Sequence, residues 1–212
     1  MIMLASVIPS IPTSSELTAV LVVVCFSAGL NVYATVGMLG ILAHAGALTL
    51  PPPLHPIENW YVIAVCAALF LVEFVGDKIP IFDLLWNALH TFVRIPVAAL
   101  LAYGATAQLP PWEQLLATFL GALIAFAAHS GKIAARAAVT HSPEPISNIV
   151  LSLGEDAAVV FLTWFATQHP YASAAIVVVA LILIVFMIRF VVRAMRNLFS
   201  DASRAVHPRP AS

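Results

Sequence analysis

LTAVLVVVCFSAGLNVYATVGMLGILAH, residues 17–44, holds no Asp, Glu, Lys or Arg. A helix that spans a bilayer needs about 20 mostly apolar residues, so this run holds one span with residues to spare. Gly29, Asn31, Tyr33 and Thr35 interrupt it. Two readings are open there. A bent or broken helix at Gly29 frees backbone groups that line a cavity. Alternatively, Gly37 and Gly40 mark a small-residue contact where another helix comes close. Other charge-free intervals lie between Arg94 and Glu113, Glu113 and Lys132, and Asp156 and Arg189. The 212-residue chain is 62% hydrophobic and 9% charged, where a soluble domain carries about 25% charged residues. Its mean hydropathy is +1.01. So few polar groups cannot cover the surface of a soluble fold. That excludes a soluble globular domain and a disordered chain. With 9 Lys+Arg against 10 Asp+Glu there is no basic field for a nucleic acid. The principal partner is the lipid bilayer.

The pattern predicts an all-α polytopic bundle of about six transmembrane helices. The apolar segments run over Leu17–His44, Asn59–Gly76, Phe82–Thr106, Gln114–Ser130, Ile146–Thr167 and Tyr171–Ile188. Proline-rich breaks separate them at Pro51-Pro52-Pro53, Lys78-Ile79-Pro80, Pro110-Pro111, Ser142-Pro143-Glu144-Pro145 and His169-Pro170. Trp60, Trp112 and Tyr171 stand near segment ends, as an aromatic belt requires. The expected organisation is a segment 1–15, one membrane domain 16–199 and a polar tail 200–212. Met1 to Ser15 contains no Lys or Arg, which argues against a cleaved signal. Cys25 and Cys66 lie in apolar runs and are expected as small packing residues. Pro56-Ile57-Glu58-Asn59 is echoed by Pro145-Ile146-Ser147-Asn148. The echo suggests inverted three-helix halves, 16–106 and 112–199.

With six spans, Lys78, Lys132, Arg136 and the tail arginines 189, 193, 196, 204 and 209 share one side. The positive-inside rule makes that side cytoplasmic. An even count then places both termini in the cytoplasm of a cell whose inner membrane holds the chain.

An ionised side chain at mid-bilayer costs about 2.5–3.5 kcal/mol on insertion scales. Charges within spans are therefore the pointers to function. Glu155 and Asp156 stand about 14 Å into their segment by helix rise. Adjacent on a helix, they diverge by about 100° and cannot share one partner. They are read as a proton or cation site, or as structural partners of Lys132, Arg136 or Arg189. Glu73 and Asp77 are one turn apart on one face and form a second candidate acid pair. Asp83, Asn87, His90 and Arg94 make a polar stripe at helical spacing. That stripe faces either water, with the helix in the membrane interface, or the bundle interior. His129, Lys132 and Arg136 form another stripe. Lys132 and Arg136 are either membrane anchors or a pair that holds an anionic group. Asn31 is a candidate for lining the pathway at the helix break. No cofactor or metal ligand set is expected. The chain has no phosphate-binding G-x-x-x-x-G-K-[ST] loop, no H-E-x-x-H pair and no G-x-S-x-G elbow, which disfavours an enzyme.

Gly29-Leu30-Asn31-x-Tyr33, the run Glu73-Phe74-Val75-Gly76-Asp77-Lys78-Ile79-Pro80 with Asp83, and Ser142-Pro143 leading to Asn148 and Glu155-Asp156 resemble an uncharacterised bacterial integral-membrane family. That family is the domain of unknown function numbered four thousand one hundred and twenty-six. The resemblance covers about residues 16 to 198. It implies that these acids belong to one shared site and implies no chemistry. The expected function is a secondary transporter or permease. A small solute, an ion or a lipid is its unknown partner, and a homo-oligomer is open. Glu73, Asp77, Glu155 and Asp156 would bind a proton or cation, and Lys132 and Arg136 would balance them. The alternatives are a scaffold or assembly subunit with structural ion pairs and a lipid-handling protein.

Overall fold

The computed structural model describes residues 14–139 and 145–206; within them, the side chains at 80–84, 137–139, 145–148, 194–195 and 197–206 are not among those described. The described residues contain helices and no strand: α1 (Ser14–Leu30), α2 (Val32–His44), a 3-10 helix (Pro52–Glu58), α3 (Trp60–Gly76), α4 (Pro80–Ala105), α5 (Pro111–Val139), α6 (Pro145–Gln168) and α7 (Pro170–Val206). Four helical stretches are long and apolar enough to cross a membrane: Leu85–Ala105, Pro111–Arg136, Ile149–Gln168 and Pro170–Arg193. The 3-10 helix and α3, bent by 64°, make a fifth when taken together. The Ser142-Pro143 part of the family pattern lies outside the described residues.

The first apolar segment is the exception to the six-span expectation. Asn31 adopts an extended conformation, φ −148° and ψ 103°, and its side chain accepts from Ala34 N–H. One residue thus ends α1 and caps α2, because a short polar side chain can replace the helical acceptor. The chain then turns back. Near its start, Ser15 Oγ lies 2.9 Å from the Tyr171 hydroxyl at the head of α7. At its far end, Lys132 Nζ donates to Leu30 O at 3.4 Å. From Asn31, α2 returns alongside α3 in the opposite direction. A Cβ at Gly37 would sit 3.3 Å from Cys66 Cβ, and one at Gly40 would strike Ile57 O. The His44 and Trp60 rings lie 4.5 Å apart. Thus α1 and α2 form an arm that enters the bundle and leaves by the same end. The break falls at Asn31 and not at Gly29. Gly29 is helical and lets α1 lie close on α5, since a Cβ there would meet Ala125 Cα at 2.8 Å and Ala128 Cβ at 2.9 Å. The expected break is therefore present but two residues later than Gly29, and the close approach expected at Gly37 and Gly40 is found at those residues.

The reversal removes one crossing. Helices α3 to α7 then alternate in direction. Trp60, Trp112 and Tyr171, at the heads of α3, α5 and α7, are all exposed at one end, here the tryptophan end. The α3–α4 connection with Lys78 and the tail of α7 lie at the opposite, basic end. Ser14 and Val206 therefore stand at opposite ends, not at one end as an even span count requires. The Pro56–Asn59 tetrad precedes α3 at the tryptophan end. The Pro145–Asn148 tetrad opens α6 at the basic end, and α6 runs opposite to α3. Helix α5 continues unbroken from Pro111 to Val139.

Helix α1 is the axle. Every residue from Val23 to Leu30 is buried, and α1 packs against α4, α5, α6 and α7. Val23, Phe26 and Leu30 meet Val159, Leu162, Ala166 and Val177 on one side. Val24, Cys25 and Ala28 meet Ala98, Leu101 and Ala102 on the other. Cys25 and Cys66 are free and buried. Outward faces carry large apolar side chains such as Leu89, Phe92, Phe119 and Phe186, the surface that a lipid solvent leaves at no cost.

Candidate functional site

Four helices and the tip of the arm bring their expensive residues together. Glu73 projects inward from the last turn of α3. Asp77 caps that helix, its N–H donating to Glu73 O. Ile79 is held extended before Pro80, the first residue of α4, as a residue preceding proline prefers. This tight corner points both acids into the bundle. Glu73 is 0% and Asp77 1% exposed. Lys78 stays at the corner, its ammonium 3.3 Å above the Phe74 ring.

The stripe on α4 faces the interior. Asn87, His90 and Arg94 are buried, while Leu85, Leu89 and Phe92 face out. The interfacial placement with the stripe in water is thus overturned, because Arg94 finds its partners inside. Its Nη2 donates to Glu73 Oε1. Its Nη1 donates to Asn87 Oδ1 at 3.1 Å and to His129 Nδ1 at 2.9 Å. A guanidinium can only donate, so His129 Nδ1 accepts and its Nε2–H donates to Thr91 Oγ1 at 2.8 Å. The Thr91 hydroxyl in turn donates to Asn87 O at 3.1 Å. In the same way His90 Nδ1–H donates to Trp86 O at 2.8 Å and Nε2 accepts from the Tyr33 hydroxyl at 2.8 Å. Asp83 belongs to α4, but its side chain lies outside the described residues.

From α5, Lys132 reaches the centre. Its ammonium lies 3.4 Å from Glu73 Oε1, 3.1 Å from Asp77 Oδ2 and 3.4 Å from Glu155 Oε2. Arg136 Nη2 lies 2.7 Å from Asp77 Oδ2 and 3.1 Å from Glu155 Oε2. Lys132 is 2% and Arg136 6% exposed. They are interior counter-charges, and the anchor reading gives way to pairing. Ser152 Oγ stands 3.5 Å from Asp77 Oδ2.

The two neighbouring acids on α6 diverge as their spacing requires. Glu155 joins Lys132 and Arg136. Asp156, 6% exposed, turns to the tip of the arm and accepts from Asn31 Nδ2 at 3.0 Å. Three cations, Arg94, Lys132 and Arg136, therefore face three anions, Glu73, Asp77 and Glu155. Asp156 is a fourth carboxyl, with no cation of its own among the described residues. Its Oδ2 is buried without a hydrogen-bond partner among them. A buried carboxylate in that state is costly, so the position suits a carboxyl that carries a proton or holds a small cation. Among the described residues no group of three or more His, Cys, Asp or Glu is placed to hold a metal ion.

Glu73, Asp77, Arg94, His129, Lys132, Arg136, Glu155 and Asp156 meet in this cluster, whereas Arg189, a possible partner of the α6 acids, is exposed and makes no ion pair with them among the described residues. Thr91 carries no spacing signal that singles it out, and neither does Leu30 O, which only the Asn31 break releases. A small apolar groove between α5 and α7, lined by Ser130, Ile133, Ala134, Ile188, Val191 and Val192, faces away from the cluster. A family model described as Domain of unknown function (DUF4126) matches residues 18–190, the family that the Glu73–Pro80 run resembles. No curated protein and no solved structure matches the chain.

Proposed function

This chain belongs to the DUF4126 family, and from that premise we propose that it is a multi-pass membrane permease that binds a proton or small cation at Asp156. The carrying observation is the charge inventory: three acids paired with bases, and one buried acid beside a helix break with no basic partner among the described residues. Broken helices at such depth are where transporters place their ligands. Glu73, Asp77, Glu155, Lys132 and Arg136 hold that site in shape, and Asn31 couples it to the arm. Reconstituted protein is expected to show proton- or sodium-driven flux across liposomes, which Asp156→Asn abolishes. Asn at 156 keeps an acceptor for Asn31, so the fold should survive. Unchanged flux in that variant would remove the assignment.

A second reading has its own support. Glu73, Asp77 and Glu155 are each locked to basic partners, as a scaffold or assembly subunit with purely structural ion pairs would have them. A membrane partner co-purifying at fixed stoichiometry, with no flux in liposomes, would favour it.

A topology is part of the permease proposal, supported by the basic residues gathered at one end. The basic end faces the cytoplasm of the inner membrane, five helices cross, and the arm enters from the outside and returns. Reporters fused to the two termini are expected to report opposite sides, the C-terminal one cytoplasmic. Two cytoplasmic reporters would restore the six-span arrangement.

A further inference from the structure

Hydroxyls within helices usually donate to the carbonyl one turn back. Thr18, Thr35, Thr91, Thr106 and Thr118 do so here, to Ser14 O, Asn31 O, Asn87 O, Ala102 O and Gln114 O. Ser27 on α1 and Thr163 on α6 do not. Both are 0% exposed, and Ser27 Oγ and Thr163 Oγ1 have no hydrogen-bond partner among the described residues. Asp156 Oδ2 is in the same state.

The three atoms belong to one seam. Ser152, Asp156, Val159, Thr163 and Ala166 form the buried stripe of α6. Ser27 stands between Val23 and Leu30, which pack against Val159 and Leu162. Helices α1 and α6 run in opposite directions, with Asn31 level with Asp156 and Ser15 level with Tyr171. Ser27, one turn before Asn31, therefore falls between Asp156 and Thr163 in height. The order from the interior outward is Asp156, Ser27, Thr163, and then the end of α6 at Gln168.

The spacing decides what such a row can do. Asp156 and Thr163 are two turns apart, about 10 Å by helix rise, whereas oxygen ligands surround a hard cation at about 2.0–2.6 Å. One ion cannot be held by both. Successive oxygens about one turn apart are instead within reach of each other through single bridging waters, each needing two to four polar partners. Resting on the permease reading, we propose that the α1–α6 seam is a proton relay from the tryptophan end to Asp156, through water, Thr163 and Ser27. A hydronium at the end of α6 gives its proton to a water in the seam. Each hydroxyl oxygen accepts one proton and releases its own to the next water. Asp156 Oδ2 takes the last one, and both hydroxyls are left unchanged.

The test follows the Asp156 carboxyl itself. Full-length protein in lipid is moved into D2O, and the exchange of its carboxylic-acid band is timed by infrared spectroscopy. The band is identified by its loss in Asp156→Asn. In Ser27→Ala with Thr163→Val the exchange is expected to slow by about a hundredfold, the low end for removal of a positioned proton-transfer group. Thr163→Ser should exchange like the parent. The double variant should still fold, since each change removes one hydroxyl and its bonds to water and leaves the packing of α1 on α6 in place. Unaltered exchange in the double variant overturns the relay and leaves Asp156 as the binding carboxyl. An equally slow Thr163→Ser also overturns it, since the defect then lies in shape and not in the hydroxyl. If no band disappears in Asp156→Asn, Asp156 carries no proton, and the relay falls together with the proton form of the permease reading.

Discussion

Lys132→Met is expected to destabilise the protein by about 3–5 kcal/mol, the range for removing one partner from a buried ion pair. The ammonium touches four oxygens on three elements: Glu73 and Asp77 at the end of α3, Glu155 on α6 and the Leu30 carbonyl of α1. Methionine fills the space and leaves buried Glu73 and Asp77 and half-buried Glu155 facing Arg94 and Arg136 alone. The Leu30 carbonyl, released by the break at Asn31, loses its donor as well. Lys132→Arg should not rescue fully, because a planar fork cannot replace a compact point charge among four acceptors. Adding Glu155→Gln should recover part of the loss, since the two residues interact and their effects will not add. Thermal unfolding in detergent, run as a double-mutant cycle, measures this. A Lys132→Met protein within about 0.5 kcal/mol of the parent, the range of ordinary surface changes, would mean that the cluster does not hold the helices together.

Asn31→Leu is the second large effect. The side chain does two things at once: Oδ1 accepts from Ala34 N–H and Nδ2 donates to Asp156 Oδ1. Losing the cap costs about 1 kcal/mol. Leaving Asp156 with neither oxygen bonded costs a further 1–3 kcal/mol or so. The arm should then dock loosely, with faster amide exchange at its tip than elsewhere in α1. Pairing the change with Asp156→Leu should lessen the loss, because both polar partners then leave together. If the pair is as unstable as the sum of its parts, the Asn31–Asp156 contact is not what seats the arm.

Much of the site is legible in the sequence. Glu73 and Asp77 at one-turn spacing, Asn87, His90 and Arg94 on one helical face, and Lys132 with Arg136 on another follow from helix periodicity alone. The cost of charge in lipid singles them out, but whether the α4 stripe faces water and whether Lys132 and Arg136 are anchors is decided only by the packing, not by the sequence. Which acid meets which base is not legible there. Arg94 and Glu73 belong to neighbouring helices, but Asn31 and Asp156 lie 125 residues apart, and no local pattern joins them. Asp156 and Glu155 are neighbouring carboxylic acids on different faces of α6, and the face Asp156 occupies, toward Asn31, leaves it without a cation among the described residues. In sequence, Ser27 and Thr163 are like any hydroxyls in an apolar helix; only the packing of α1 on α6 sets them apart.

Composition by itself determined a lipid-solvated helical chain, because 9% charged residues cannot face water. Proline positions marked most of the joints, since a proline lacks the N–H that continues a helix. Only the tertiary structure decided the path of the first segment and the place of the last. Residues 17–44 and the first half of α7, 170–188, are both apolar almost throughout. Yet α1 is the buried axle, and only 6% of the apolar window of α7 is buried. Apolar burial has no direction, so a uniformly apolar helix carries no instruction about which neighbours it takes. The hydrogen bonds and charges do. Asn31 turns the chain back because Ala34, Asp156 and Lys132 satisfy the groups exposed by the turn, and those partners exist only once α2, α5 and α6 are assembled around it.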